Sequence, residues 1–100
     1  MTHSIESVAN LITPILNGSP VMCVIVFGSY ARGEQTATSD IDMVIDSNGE
    51  LKGLDVFTWI HNIASALPIH SDIYELREIK ANSNLQKIIQ KEGVVIYDRT

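Results

Sequence analysis

The chain has 100 residues, room for one small domain with one core but not for a separate substrate-recognition domain. Hydrophobic residues make up 45% and charged residues 19%, which excludes a disordered chain, and no apolar run approaches the ~20 residues that span a bilayer. With 7 Lys plus Arg against 12 Asp plus Glu, a formal charge of −5, direct binding to a nucleic-acid backbone is not expected.

In chain order, Ile5, Val8, Ile12 and Ile15 recur at helical spacing and predict a helix over residues 4–16, with Pro14 expected to kink or shorten it. Asn17-Gly18-Ser19-Pro20 breaks the chain. Residues 21–27 are continuously apolar, the pattern of a strand covered on both faces, and Gly28 ends it. A polar stretch follows, after which residues 40–46 alternate. Ile41, Met43 and Ile45 point one way, while Asp40, Asp42, Val44 and Asp46 point the other. Beyond the Ser47-Asn48-Gly49 turn, Val56, Ile60, Ile63, Ala64 and Leu67 form a helical stripe closed by Pro68. Residues 69–78 read as a third strand, with Asp72, Tyr74 and Leu76 on one face and Ile73 and Glu75 on the other. Residues 82–92 form a short helix with Leu85, Ile88 and Ile89 inward and Gly93 as its C-cap signal, and residues 94–97 a last strand. The fold class is α/β, a single mixed β-sheet with flanking helices. The connection over residues 29–39 is too short for a parallel crossover, so the first two strands should pair antiparallel.

The chemistry concentrates between Gly28 and Asp42. Gly28 lacks a Cβ, so a ligand or another backbone can approach at the end of a buried strand. Ser29 offers a hydroxyl and a backbone N–H to a phosphate oxygen. A helical turn over residues 29–33 would aim further N–H groups at the same anion, and Arg32 suits bidentate phosphate contact. Asp40 and Asp42 lie two apart on a strand, their Cα atoms roughly 6.5–7 Å apart and both carboxylates on one side. That spacing suits a hard cation such as Mg²⁺, and paired ions of this kind serve nucleotidyl transfer. Asp72, in an otherwise apolar strand, is the candidate third carboxylate. Each piece has a plain alternative: Gly-Ser after a strand is commonly a turn, and Asp-x-Asp on a strand commonly a solvated face. Their combination is what points to a site.

The string GSYARGEQTATSDIDMVI resembles the signature of the minimal nucleotidyltransferase (MNT) branch of the DNA polymerase beta-like superfamily, GSxARGxxxxxSDIDLxV. Met43 replaces the usual leucine, a volume-conserving change. The strand holding Asp72 and the closing Lys91-Glu92-Gly93-Val94-Val95-Ile96-Tyr97 also look like that domain, so the resemblance spans nearly all of residues 1–100. It implies the minimal nucleotidyltransferase fold, with Asp40, Asp42 and Asp72 as metal-binding catalytic residues. Asp72 would help activate the acceptor hydroxyl. Gly28 and Ser29 would hold the triphosphate, and Arg32, Gly33 and Ser39 would shape the pocket. It implies ATP as substrate, Mg²⁺ or Mn²⁺ as cofactor, and transfer of AMP. In this family such proteins are often encoded beside a helical HEPN-type toxin that they neutralise as antitoxins, some of them by adenylylating it, which makes a hetero-oligomer with such a partner an expectation. Two other functions fit the same motif: a non-catalytic antitoxin that neutralises its partner by binding, and a transferase for a small molecule or RNA.

Other residues weigh less. No basic region precedes an apolar stretch at the N-terminus, so no signal peptide is expected. The lone Cys23 is expected to be a buried core thiol in a reducing cytoplasm. His3, His61 and His70 lack ligand spacing with a cysteine, so zinc is not expected. Phe57 and Trp59 have the rings to stack a base but are expected to pack or meet a partner, and Tyr30 either packs or lines the nucleotide pocket. Arg77, Lys80, Lys87 and Lys91 read as a solvated face.

Overall fold

The computed structural model describes residues 3–99. It contains one four-stranded mixed sheet in the order β3-β2-β1-β4, with β1 Cys23–Phe27, β2 Ile41–Asp46, β3 Ser71–Glu75 and β4 Val94–Asp98. The β1 strand pairs antiparallel with β2 and with β4, whereas β2 and β3 run parallel. The antiparallel β1–β2 pairing follows from the short connection, which contains only the helical turn α2, Ser29–Arg32. The parallel pair is joined by α3, Leu54–Ser65. This is the mixed α/β architecture that the hydrophobic periodicity predicts.

Helix α1, Ile5–Leu16, starts where the Ser4 side chain accepts from Ser7 N–H and buries Val8, Ile12 and Leu16 at four-residue spacing. Pro14 neither breaks nor shortens it. Pro14 has no N–H to donate to Asn10 O and so removes one intrahelical bond, but the helix continues past it to Leu16 and Asn17 N–H still closes on Thr13 O at 3.1 Å. The α1 and α3 helices cover one face, where Val8, Ile12, Leu16, Val56 and Ile63 join Val24, Val26, Ile41, Met43 and Ile45. The opposite face carries a smaller cluster in which Phe27 and Val44 meet Ile89 of helix α4, Asn84–Glu92, with Ile25 and Leu85 packed against them. The β1 strand is thus covered on both sides, as its unbroken apolar run requires.

Two local readings differ from the structure. The third strand stops at Glu75, where the Glu75 carboxylate accepts from Arg77 N–H at 2.8 Å and starts a 3₁₀ turn over Leu76–Glu78. Helix α4 begins two residues later than expected, capped by the Ser83 side chain, which accepts from Gln86 N–H. Gly93 is the C-cap of α4 as expected, its N–H donating to Ile89 O at 2.8 Å, with a φ of −63° rather than a left-handed angle. A Cβ there would lie 2.5 Å from Ile89 O and 2.8 Å from Ile25 Cγ2, so glycine serves a close crossing of backbone and side chain.

Candidate active site

The acidic face of β2 is divided. Val44 is fully buried beneath α4, so the middle of that face is core rather than a solvated surface. Asp42, toward the start of the strand, is half-exposed, and Asp40 just precedes the strand. Because β3 runs parallel to β2 with Asp72 directly across from Asp42, the two carboxylates share one face. Antiparallel pairing places Phe27 opposite Asp42, which brings Gly28 to the same spot.

A Cβ at Gly28 would stand 2.5 Å from Asp42 Oδ2, and Gly28 also has a φ of +78°. Both the close approach and the backbone angle exclude larger residues here. The sequence-predicted group of Gly28, Asp40, Asp42 and Asp72 is therefore brought together in space. Burial first, then the charges of Asp72 and Asp40, raise the pKa of Asp42. A half-buried carboxylate beside like charges is poorly satisfied without a cation, and carboxylate oxygens suit a hard ion such as Mg²⁺ or Mn²⁺.

His70 adjoins this group, although it has no ligand spacing with a cysteine. Its Nδ1 lies 3.4 Å from Asp40 Oδ2, and ligating atoms of Asp40, His70 and Asp72 lie within 4.8 Å of one another. The signal was available, since His70 precedes Asp72 by two and so lies on the same side of the chain.

The turn after β1 forms as expected. Arg32 N–H donates to Gly28 O at 3.1 Å, and Gly33 ends α2 in the left-handed conformation at φ 71°. Ser39 serves the loop: its hydroxyl oxygen accepts from Thr36 N–H at 2.8 Å. Tyr30 is 2% exposed and belongs to the main core, so it packs there, and burial pushes its phenol pKa up. Arg32 is engaged rather than free: its Nη1 donates to Glu92 Oε1 at 2.9 Å, and its Nε lies 3.4 Å from Glu34 Oε1. The hydrogen bond to Glu92 is the main cause that raises its already high pKa. The same Glu92 oxygen accepts from Gly28 N–H at 3.0 Å.

Elsewhere, Cys23 is half-buried rather than enclosed, because it opens β1 between its sheet partners Asp46 and Asp98. Burial, then Asp98 and Asp46, push its thiol pKa up, which disfavours the reactive thiolate. Trp59 packs against the core, while Phe57 is 65% exposed. Arg77, Lys80, Lys87 and Lys91 are all exposed. Among the described residues, no helix is long and apolar enough to cross a membrane.

Comparison with known proteins places this geometry. Residues 10–100 match the family model "Polymerase beta, Nucleotidyltransferase". Two proteins of Methanocaldococcus jannaschii, both named as candidate protein adenylyltransferases, are 34% and 33% identical over 76 residues, 76% of this chain and 76% of each relative. A crystal structure of a toxin–antitoxin pair with AMP-PNP superposes with a TM-score of 0.73 at 25% identity, covering 90% of this chain and 73% of its counterpart. An MNT antitoxin in complex with a tri-AMPylated HEPN toxin of Shewanella oneidensis shares the fold with a TM-score of 0.68 at 21% identity, covering 94% and 72%.

Proposed function

The chain belongs to the polymerase beta nucleotidyltransferase family, and from that premise we propose that it transfers AMP from ATP to a protein hydroxyl, acting as the antitoxin that adenylylates a HEPN-type toxin. The observation that supports this most is the direct pairing of Asp42 with Asp72 beside Gly28 and Asp40. The names of the archaeal relatives and the toxin–antitoxin complexes among the structural neighbours point the same way.

In this reading Asp40, Asp42 and Asp72 hold the divalent metal, which supplies charge neutralisation for the triphosphate. Ser29 and the turn behind it bind phosphate oxygens by hydroxyl and N–H groups, and Arg32 adds a cation. Gly33 and Ser39 keep that turn and the following loop in shape. The acceptor oxygen bonds to the α-phosphorus as the bond to the pyrophosphate oxygen breaks. Asp72 orients the acceptor hydroxyl and receives its proton.

The test is incubation with ATP, Mg²⁺ and the product of the neighbouring gene, followed by intact-mass measurement. The expected result is a toxin heavier by one or more AMP units, lost in an Asp40→Ala, Asp42→Ala double variant. Modification that persists in the double variant rules the mechanism out. A second reading, neutralisation by binding alone, is favoured by the exposure of Leu54 at 81%, Phe57 at 65% and Val95 at 53%. It holds if the double variant still co-purifies with the toxin and fully neutralises it.

A further inference from the structure

We propose that Glu92 is a positioning residue for nucleotide binding, whose carboxylate holds Arg32 and the Gly28 N–H in the arrangement that receives the triphosphate. The inference rests on the nucleotidyl-transfer reading above and adds to it a residue from the opposite end of the chain.

One atom, Glu92 Oε1, accepts from both Gly28 N–H at 3.0 Å and Arg32 Nη1 at 2.9 Å. Bonds to a charged acceptor are stronger than neutral ones, and sharing one oxygen fixes the guanidinium relative to the strand end. These contacts span 64 and 60 residues of sequence, so only the folded chain makes them. Glu92 closes α4, the end of a helix at which the backbone dipole disfavours an acid. Its two partners offset that disadvantage. The Glu92 side chain is 21% exposed while that of Arg32 is 44% exposed, so the carboxylate backs the guanidinium from the protein side.

Arg32 meets Glu92 through Nη1 and Glu34 through Nε. A guanidinium is a planar fork, so holding those two positions orients its Nη2 edge for a phosphate. At the other partner, Gly28 stands against Asp42, so the bond to Glu92 also steadies the backbone that packs on a metal-site carboxylate. A carboxylate this near an incoming triphosphate also repels it, and the sign of the net effect is what an experiment reads.

The test is equilibrium binding of a non-hydrolysable ATP analogue with Mg²⁺ to the wild type, E92A, E92Q, R32A and the R32A/E92A pair. We expect E92A to weaken binding by about 10-fold or more. E92Q, which keeps an acceptor oxygen, should stay within about 3-fold of wild type. In the R32A background the E92A effect should shrink to about 3-fold or less, because Glu92 acts chiefly through Arg32. Circular dichroism melts establish that each variant is folded. Unchanged or tighter binding by E92A overturns the proposal, as does an undiminished E92A effect in R32A. Should E92A fail to fold, E92Q alone decides: binding tighter than wild type by more than about 3-fold means that repulsion dominates and positioning is wrong, whereas binding within that range or weaker upholds it. A wild type that binds no nucleotide removes the nucleotidyl-transfer reading together with this one. Binding by wild type and E92A alike removes only the role of Glu92.

Discussion

Burial and the carboxylates of Asp72 and Asp40 make ionised Asp42 less favourable in the folded chain than in the unfolded one. Protons therefore bind the folded state more tightly at this position. Asp42 contributes stability that is fully present below its unfolded pKa and is lost as pH rises through its higher folded pKa. In chelator at neutral pH, Asp42→Asn should accordingly unfold at a higher urea concentration than wild type. The difference should fade as pH falls below the usual carboxylate range. The same substitution should lower AMP transfer by about 10²–10³-fold or more, since it removes charge aimed at the reacting group. If both outcomes are observed, stability and chemistry oppose each other at Asp42, as they do at many functional sites. The candidate carboxylates were legible as residues, because acids are costly beside an apolar strand face. Glu92 was not legible, because an acid near a helix end looks like any solvated acid until its partners 60 and 64 residues away are known.

At the level of elements, Gly93 joins α4 to β4 at a crossing too tight for a side chain. Gly93→Ala should destabilise the protein by about 1–3 kcal/mol, seen as a lower urea midpoint, because the new methyl meets Ile89 O and Ile25. It should also disturb the adjacent Glu92 contacts, so weaker nucleotide binding is expected alongside. The capping glycine was readable from sequence but the crowding around it was not, because the close approach of Ile25 depends on how α4 docks on β1. Pro14 likewise costs α1 one backbone bond without ending it, because the buried stripe of Val8, Ile12 and Leu16 holds the last turn in place. The third strand ended early because the Glu75 side chain, which periodicity treats only as polar, caps the following turn.

For the molecule as a whole, three carboxylates gathered at one end of the sheet should make stability respond to ligand. Mg²⁺ with an ATP analogue at about 100 times its Kd should stabilise the fold by about 2.7 kcal/mol. In a chain of this size that corresponds to a rise in Tm on the order of 10 °C. Differential scanning fluorimetry measures it, and both EDTA and the Asp40→Ala, Asp42→Ala double variant should abolish it. An equal rise in the double variant would place the ligand elsewhere.

The amino-acid order by itself determined the alternation of helices and strands, the burial of β1 on both faces, the antiparallel start of the sheet and the residues of the Gly28–Asp42 segment. Those are local properties, set by periodicity and turn chemistry over a few residues. Only the tertiary structure decided that Asp72 faces Asp42, that Val44 is core and that Glu92 grips Arg32. Each of these depends on strand register or helix docking, which bring together atoms that no sequence spacing relates.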